Sequence, residues 1–524
     1  IKYGDSTYVL NGDDNEFVFV KTASASTAYV VNTSNSLVTG KDSILYRIQV
    51  VPDLYPLISV DEERDSVTLK QMYFTGELKD DYGFKTLTFN YQMKSEEGGE
   101  EQWTSVAIPI SKELVADNFY YTWDLGLLDV KPGAKVTYYF EVGDNDGVNG
   151  SKTSRSAVKE YAIPTEEELQ EQLEQKNEDI KDKLEESLKD AKKLEKELEE
   201  LQRQMLDKKE MNWQDKKKLE ELMKRQQELQ KQVEEIQKEN QEKNKQENEF
   251  NQPNEKLQEK QKQLEELMEQ VMTPELQKLM DEMQRMMEEL NKEEIQQELD
   301  KMDLNNEDLE KELDRALEQF KQLEFEQKME KTIEKLEKLA DEQEKLANES
   351  EQKDANSDEL KSKQDSLNKA FDELKKEMDE LEKMNEELEN PNGMPDTDSQ
   401  EQEIEQDQKK SSEELSKSKK SSASKSQKSA AKKMKDMASQ MDMAMNAQEQ
   451  EQQEENMESL RALLENIITL SFDQEALMNN FAAIDTKDPN YNKLGQTQRK
   501  LKDDAKMVED SLFALSKRVP QVSA

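Results

Sequence analysis

Tyr161-Ala162-Ile163-Pro164-Thr165-Glu166-Glu167-Glu168-Leu169 is the stretch on which the architecture turns. Before it, apolar residues recur every second position, the mark of half-buried strands; after it they recur every three or four, the mark of amphipathic helix. Pro164 cannot continue a ladder, and Thr165 with Glu168 forms a capping box that satisfies the first free amides of a helix. The reading is therefore multidomain, β then α.

Working back towards the start, alternation at Leu87, Phe89 and Tyr91 against Thr86, Thr88 and Asn90 predicts one apolar and one polar sheet face. Strand candidates near 57–60, 67–75, 84–93, 102–110, 118–124, 134–142 and 157–163 predict an immunoglobulin- or fibronectin-like β-sandwich over 51–164. Trp103 and Trp123 are its expected large core residues, a ligand platform being the alternative. Alternation around Phe17–Val20, Ala28–Val31 and Ile44–Val50 predicts more strands, so 1–50 reads as the C-terminal part of a first β-sandwich.

Working forward, 165–390 reads as a region of antiparallel helical hairpins and coiled coils. Ile180, Leu184, Ser187, Ala191, Leu194, Leu198, Leu201 and Met205 form a heptad seam, repeated after a cap at Asn212 by Leu219, Leu222, Gln226, Leu229, Val233 and Ile236. Further helices are expected near 254–272, 274–302, 306–350 and 357–389, with breaks at Pro253, Pro274 and Asn305-Asn306. The Ser-, Gln-, Glu- and Lys-rich 391–422 reads as a flexible low-complexity linker. Helix returns over 423–524. It carries a thin seam from Ala423 to Ala444 and a strong apolar stripe at Met457, Leu460, Leu464 and Ile467. A new start is expected at Ser471 with Gln474, and a last segment carries Leu501, Val508, Leu512 and Leu515.

Composition repeats the division. Of 31 aromatic residues 22 precede position 165, and 22 of 24 methionines follow it. Zero His and zero Cys, in a chain of net charge −45, remove the commonest general base and every thiolate. No catalytic residue, cofactor or enzymatic turnover is expected, and the acidity opposes nucleic-acid binding. Missing cysteines fit either a reduced cytosol or the periplasm. No apolar run reaches the length of a membrane span, and a chain that opens on Ile1 leaves room for an anchor upstream.

Few motifs carry chemistry. Gly150-Ser151-Lys152-Thr153 resembles a phosphate loop, but Ser151 separates its Gly and Lys, and a turn is the plainer reading. Asp144-Asn145-Asp146-Gly147 offers hard oxygens, yet Val142 stands where an EF-hand needs an acid, leaving Asp144 and Asp146 a secondary calcium candidate. Residues 409–435 hold ten lysines against Glu413 and Glu414, a local charge of +8. Lys425, Lys428 and Lys432 are candidates for docking an anionic partner or surface, the alternative being attraction to the chain's own acidic helices. Methionines at 280, 283, 286 and 287, and Met434, Met437 and Met441, are candidate client contacts or helical core.

Tyr73-Phe74-Thr75-Gly76, Asp80-Asp81-Tyr82-Gly83-Phe84, the turn from Asp144 to Lys152, Trp213-Gln214-Asp215-Lys216-Lys217 and Leu470-Ser471-Phe472-Asp473-Gln474-Glu475 resemble a family of large Bacteroidota envelope proteins described only as a domain of unknown function. The resemblance covers most of 50–524. It implies transmembrane helices near the N-terminus and a periplasmic location tethered to the inner membrane; it implies no catalytic residues. The expectation is a structural or adaptor protein that binds other envelope proteins or membrane-protein complexes through its helices, with self-association open. A holdase chaperone, or an accessory subunit of secretion or assembly machinery, is the alternative.

Overall fold

The computed structural model describes residues 1–12, 16–35, 37, 40, 42–64, 70–94, 102–128, 132–146, 150–206, 212–250, 254–270, 278, 282, 284–285, 292–352, 354–484 and 490–519. It divides into two units, Ile1–Leu169 and Gln170–Ala524. The first is built from antiparallel sheets and the second from helices.

In the β unit, β1 (Lys2–Tyr3), β2 (Ser6–Thr7), β3 (Thr27–Asn32) and β4 (Ser43–Ile48) form a sheet ordered β2-β1-β3-β4. The strands that follow are β5 (Leu57–Arg64), β6 (Gln71–Lys79), β7 (Phe84–Lys94), β8 (Thr104–Ile108), β9 (Ala116–Asp124), β10 (Lys135–Asp144), β11 (Thr153–Arg155) and β12 (Lys159–Ala162). They make a sheet ordered β5-β6-β9 and a sheet ordered β11-β10-β7-β8, in which β12 also pairs with β10. Alternation sends Phe74 inward from one sheet and Phe89 and Phe140 from the other, their rings 4.9–5.7 Å apart. Tyr138 on β10 donates to Glu62 on β5 at 2.6 Å, a further tie between the sheets. Trp123 joins this aromatic core. Trp103 does not: it precedes β8 in the outward register and is 43% exposed, edge-on to Tyr139.

The expected capping box is formed. Glu168 N donates to Thr165 Oγ1 at 3.1 Å, and Thr165 N donates to Glu168 Oε2 at 3.0 Å. It opens α1 (Glu166–Leu206). A second box, Asn212 with Asp215, opens α2 (Trp213–Phe250). The two helices lie antiparallel, because Glu197 meets Arg225, Lys183 meets Glu239 and Lys176 meets Gln246, one number rising as the other falls. α3 (Glu255–Gln270) follows, and then α4 (Lys292–Ser350).

α4 does not break at Asn305-Asn306, as caps alone would suggest. Asn306 is buried on the seam that runs through Ile295, Leu299, Met302, Leu309 and Leu313, so a polar residue occupies a core position of a continuous helix. The expected break at Pro274 and the Met280–Met287 cluster lie outside the described residues.

The four remaining helices are α5 (Ser357–Glu386), α6 (Asp398–Ser416), α7 (Lys420–Ala482) and α8 (Tyr491–Ser516). The stretch read as a flexible linker is therefore largely helix α6. Its buried face is Glu401, Ile404, Gln408, Ser411 and Leu415, a four-and-three seam hidden from inspection because three of its members are polar. Likewise Ser471 starts nothing. α7 runs through it, since Leu477 and Gln474 face α8, where Gln474 and Gln498 exchange amide hydrogen bonds at 3.0 and 3.2 Å.

α4, α5, α6 and α7 share one core, in which Phe371, Met434, Met437 and Met441 are buried with Ala423 and Ala430. Across its middle lies a layer of one glutamine per helix: Gln343, Gln364, Gln408 and Gln427. Gln343 and Gln364 bond reciprocally at 2.8 and 2.9 Å, and Gln364 Oε1 also accepts from Gln427 at 2.9 Å and from Ser411 at 3.0 Å. Polar layers of this kind fix register, because any slip leaves several buried groups without partners.

Candidate functional site

Asp144 is 1% exposed at a β-bulge, and its Oδ1 accepts from the amides of Lys152 (2.8 Å) and Asp146 (3.3 Å). The cation beside Asp144 is Lys152, whose ammonium stands 3.7 Å from its Oδ2 and also meets Asp53. Among the described residues no group of three or more acidic side chains is arranged to hold a metal. The Gly150–Thr153 stretch leads into strand β11 rather than the helix a phosphate loop needs.

Met434, Met437 and Met441 are buried among the chain's own helices, so this conformation offers none of them to a client. The lysines beside them divide. Lys428 binds Glu351, Lys433 binds Asp407 and Glu403, and Lys435 binds Asp341 and Glu344, which is the intramolecular alternative. Lys425 and Lys432 are exposed.

Two features were not singled out as a site by sequence. The first is a two-lobed cleft along α4. One lobe, of about 650 Å³, has an apolar floor of Leu257, Phe325, Met329, Ile333, Met394 and Met445. Its wall carries the acids Glu255, Glu326, Glu330, Glu334, Glu337 and Asp442 against two lysines. The other, of about 460 Å³, is lined by Leu264, Leu323, Met457, Leu460, Leu515 and Val519, with Lys517 and Arg518 at its edge. Lys260, Gln322 and Glu326 line both lobes and form the partition. Lys260 donates to both oxygens of Glu326 at 2.6–2.7 Å, and Gln322 donates to Glu326 at 2.8 Å and to Asn392 at 3.3 Å. At the acidic wall, burial and the charges of Glu330 and Glu337 raise the Glu334 carboxyl above its usual range, although Lys331 opposes the shift.

The second feature begins where the cleft ends. Met457, Leu460, Leu464, Ile467, Ile468 and Phe472 on α7 are 41–69% exposed. The sequence had marked most of this stripe as strongly apolar; the structure adds that α8 covers only part of it, burying Leu463 and Leu477 but leaving those six open.

The helical unit also holds one buried and one half-buried electrostatic site. Lys243 on α2 is 2% exposed, its ammonium 5.2 Å from the Phe320 ring; burial pushes its pKa down, with Glu247 and Glu324 opposing. Between α1 and α4, burial, then a hydrogen bond with Glu310, then the charges of Asp303 and Glu199 push Glu195 up to about 7. The folded chain thus holds a proton that the unfolded chain releases near 4.5. The resulting stability is complete below that value, falls as pH climbs through roughly 4.5–7, and is gone above 7. Glu195→Gln is expected to match the parent at pH 5 and exceed it at pH 8, by no more than about 1 kcal/mol because the pair is partly solvated. Urea midpoints of both proteins at the two pH values check this; a pH-independent difference rejects it.

No family model, curated protein or solved structure matches the chain. Among the described residues no helix is long and apolar enough to cross a membrane.

Proposed function

We propose that this chain is a non-catalytic adaptor of the bacterial cell envelope that holds partner proteins on its helical unit. The observation that carries the reading is the stripe from Met457 to Phe472. Six large apolar side chains are left open on one helix of a chain whose charge otherwise favours solvation, the pattern of a protein contact. The periplasmic setting and an inner-membrane tether rest on the sequence resemblance. In this reading the β unit is immunoglobulin-like and serves as a spacer, and the paired heptad seams are short antiparallel coiled coils.

The second reading, a holdase chaperone, is favoured by the exposure of Met457, Met478 and Met507 on α7 and α8, since thioethers adapt to many surfaces. Photo-crosslinkers at Leu464 and Phe472, in the full chain in native membranes, separate the two. An adaptor joins one or two folded partners in fixed ratio, whereas a chaperone joins many at low occupancy. Crosslinks confined to the chain itself reject both.

A further inference from the structure

The two lobes of the α4 cleft differ in charge as well as size. The larger has six acids against two lysines, one of them, Lys260, committed to the partition; the smaller sets Arg518 and Lys517, the latter already held by Asp314 and Glu389, against Glu318 and Glu326. An apolar trough of this kind, strongly acidic at one end and near charge balance at the other, is complementary to an amphipathic rod whose positive charge is gathered at one end. We propose that the cleft receives an amphipathic helix of a partner protein, its basic N-terminal half over the larger lobe and one apolar anchor in each lobe. This deepens the adaptor reading and rests on it.

Spacing follows from α4 itself. The larger lobe takes α4 residues from Gln322 to Glu337 and the smaller from Glu318 to Glu326. Their centres are about 11 Å apart at 1.5 Å per residue, which a partner helix spans with anchors at i and i+7 or i+8. Orientation follows from charge. Lysine or arginine beside the first anchor meets Glu330, Glu334 and Glu337, and the positive end of the helix dipole points the same way. The C-terminal end then faces Arg518. A second copy of this chain is a poor occupant, because it brings another −45 charges to an acidic wall.

The probe is a fluorescent helical peptide of Ala, Gln and Lys with two leucines eight residues apart and its lysines flanking the first. Its anisotropy is followed with the full chain. Saturable binding is expected, weakened at least tenfold by the exposed-site double variant Glu334→Lys/Glu337→Lys, by exchanging the peptide's lysines for glutamates, and by moving its leucines to four-residue spacing. Binding should also fall with salt. No saturation below about 1 mM, equal binding of the charge-reversed peptide, or displacement of the peptide by self-association of the chain overturns the proposal. Circular dichroism of the double variant verifies its fold. If the Leu464 crosslinker captures a fixed partner while the peptide fails, the adaptor reading stands and the cleft assignment falls; the opposite pair of results rejects the stripe and keeps the cleft.

Discussion

Gln364→Ala is expected to destabilise the helical unit by about 3–5 kcal/mol, well beyond the loss of one ordinary side chain. Gln364 Oε1 accepts from Gln343, Ser411 and Gln427, and its amide donates to Gln343 and Asn368 at 2.8 and 2.9 Å. Truncation strands Gln343, Ser411 and Gln427 in a core where they are fully buried, and Asn368 at its edge. Replacing all four glutamines with leucine should behave differently, leaving stability unchanged or higher while allowing several helix registers. Urea unfolding gives the first comparison, and the number of amide resonances in the folded protein gives the second. A cost below about 1 kcal/mol for Gln364→Ala, or a single register in the all-leucine protein, would reject the role assigned to the layer.

Arg315→Met should release the end of α8 at a cost of about 3–5 kcal/mol. Arg315 is buried on α4, donates from Nε to the carbonyl of Ser516 at 2.9 Å, and pairs with Glu312 at 3.4 Å. Gln319 shares the same carbonyl at 3.3 Å. The guanidinium thus satisfies a free acceptor at a helix C-terminus, where a cation is also favoured by the dipole. Removing it takes from half-buried Glu312 the charge and hydrogen bond that oppose its burial, and burial already raises that carboxyl. Arg315→Lys should rescue little, because one ammonium does not reproduce the fork of donors. Hydrogen exchange across 501–516 measures the release; unchanged protection there in Arg315→Met would refute it.

How much of this was visible in the residues depends on what occupied the seams. Where they were mostly apolar, as along Ile180–Met205 and Leu219–Ile236, spacing located both helices and the capping residues Thr165 and Asn212 located their starts. Where polar residues held the same positions, inspection failed. Ile236, Asn240, Lys243 and Glu247 continue one seam, and Ile404, Gln408, Ser411 and Leu415 form another. Periodicity measured by hydrophobicity stops at the first asparagine although the helix does not. Asn306 and Ser471 misled for the related reason that capping residues are also tolerated inside helices when a neighbouring helix supplies contacts. The apolar stripe at 457–472 was legible, but its exposure was not, because that depends on how far α8 reaches. The cleft was illegible altogether: Leu257, Ile333, Met394 and Met445 belong to separate segments brought together only by the fold.

α7 joins the shared core and the open stripe in one uninterrupted helix of 63 residues, about 95 Å end to end. Whatever grips the outer part is therefore attached to a lever. Tension along its axis loads the buried contacts from Ala423 to Met441 in parallel, whereas a sideways pull detaches them one turn at a time. The same contacts thus give a high rupture force in the first direction and a low one in the second, a difference that optical tweezers can read with one handle near 444 and the other either at 416, beside the N-terminal end of α7, or at 398, near the Gln400–Gln440 contact. Equal forces in the two geometries would mean that the helix bends before it transmits load. If they differ, the strength of the hold is set by the direction of strain.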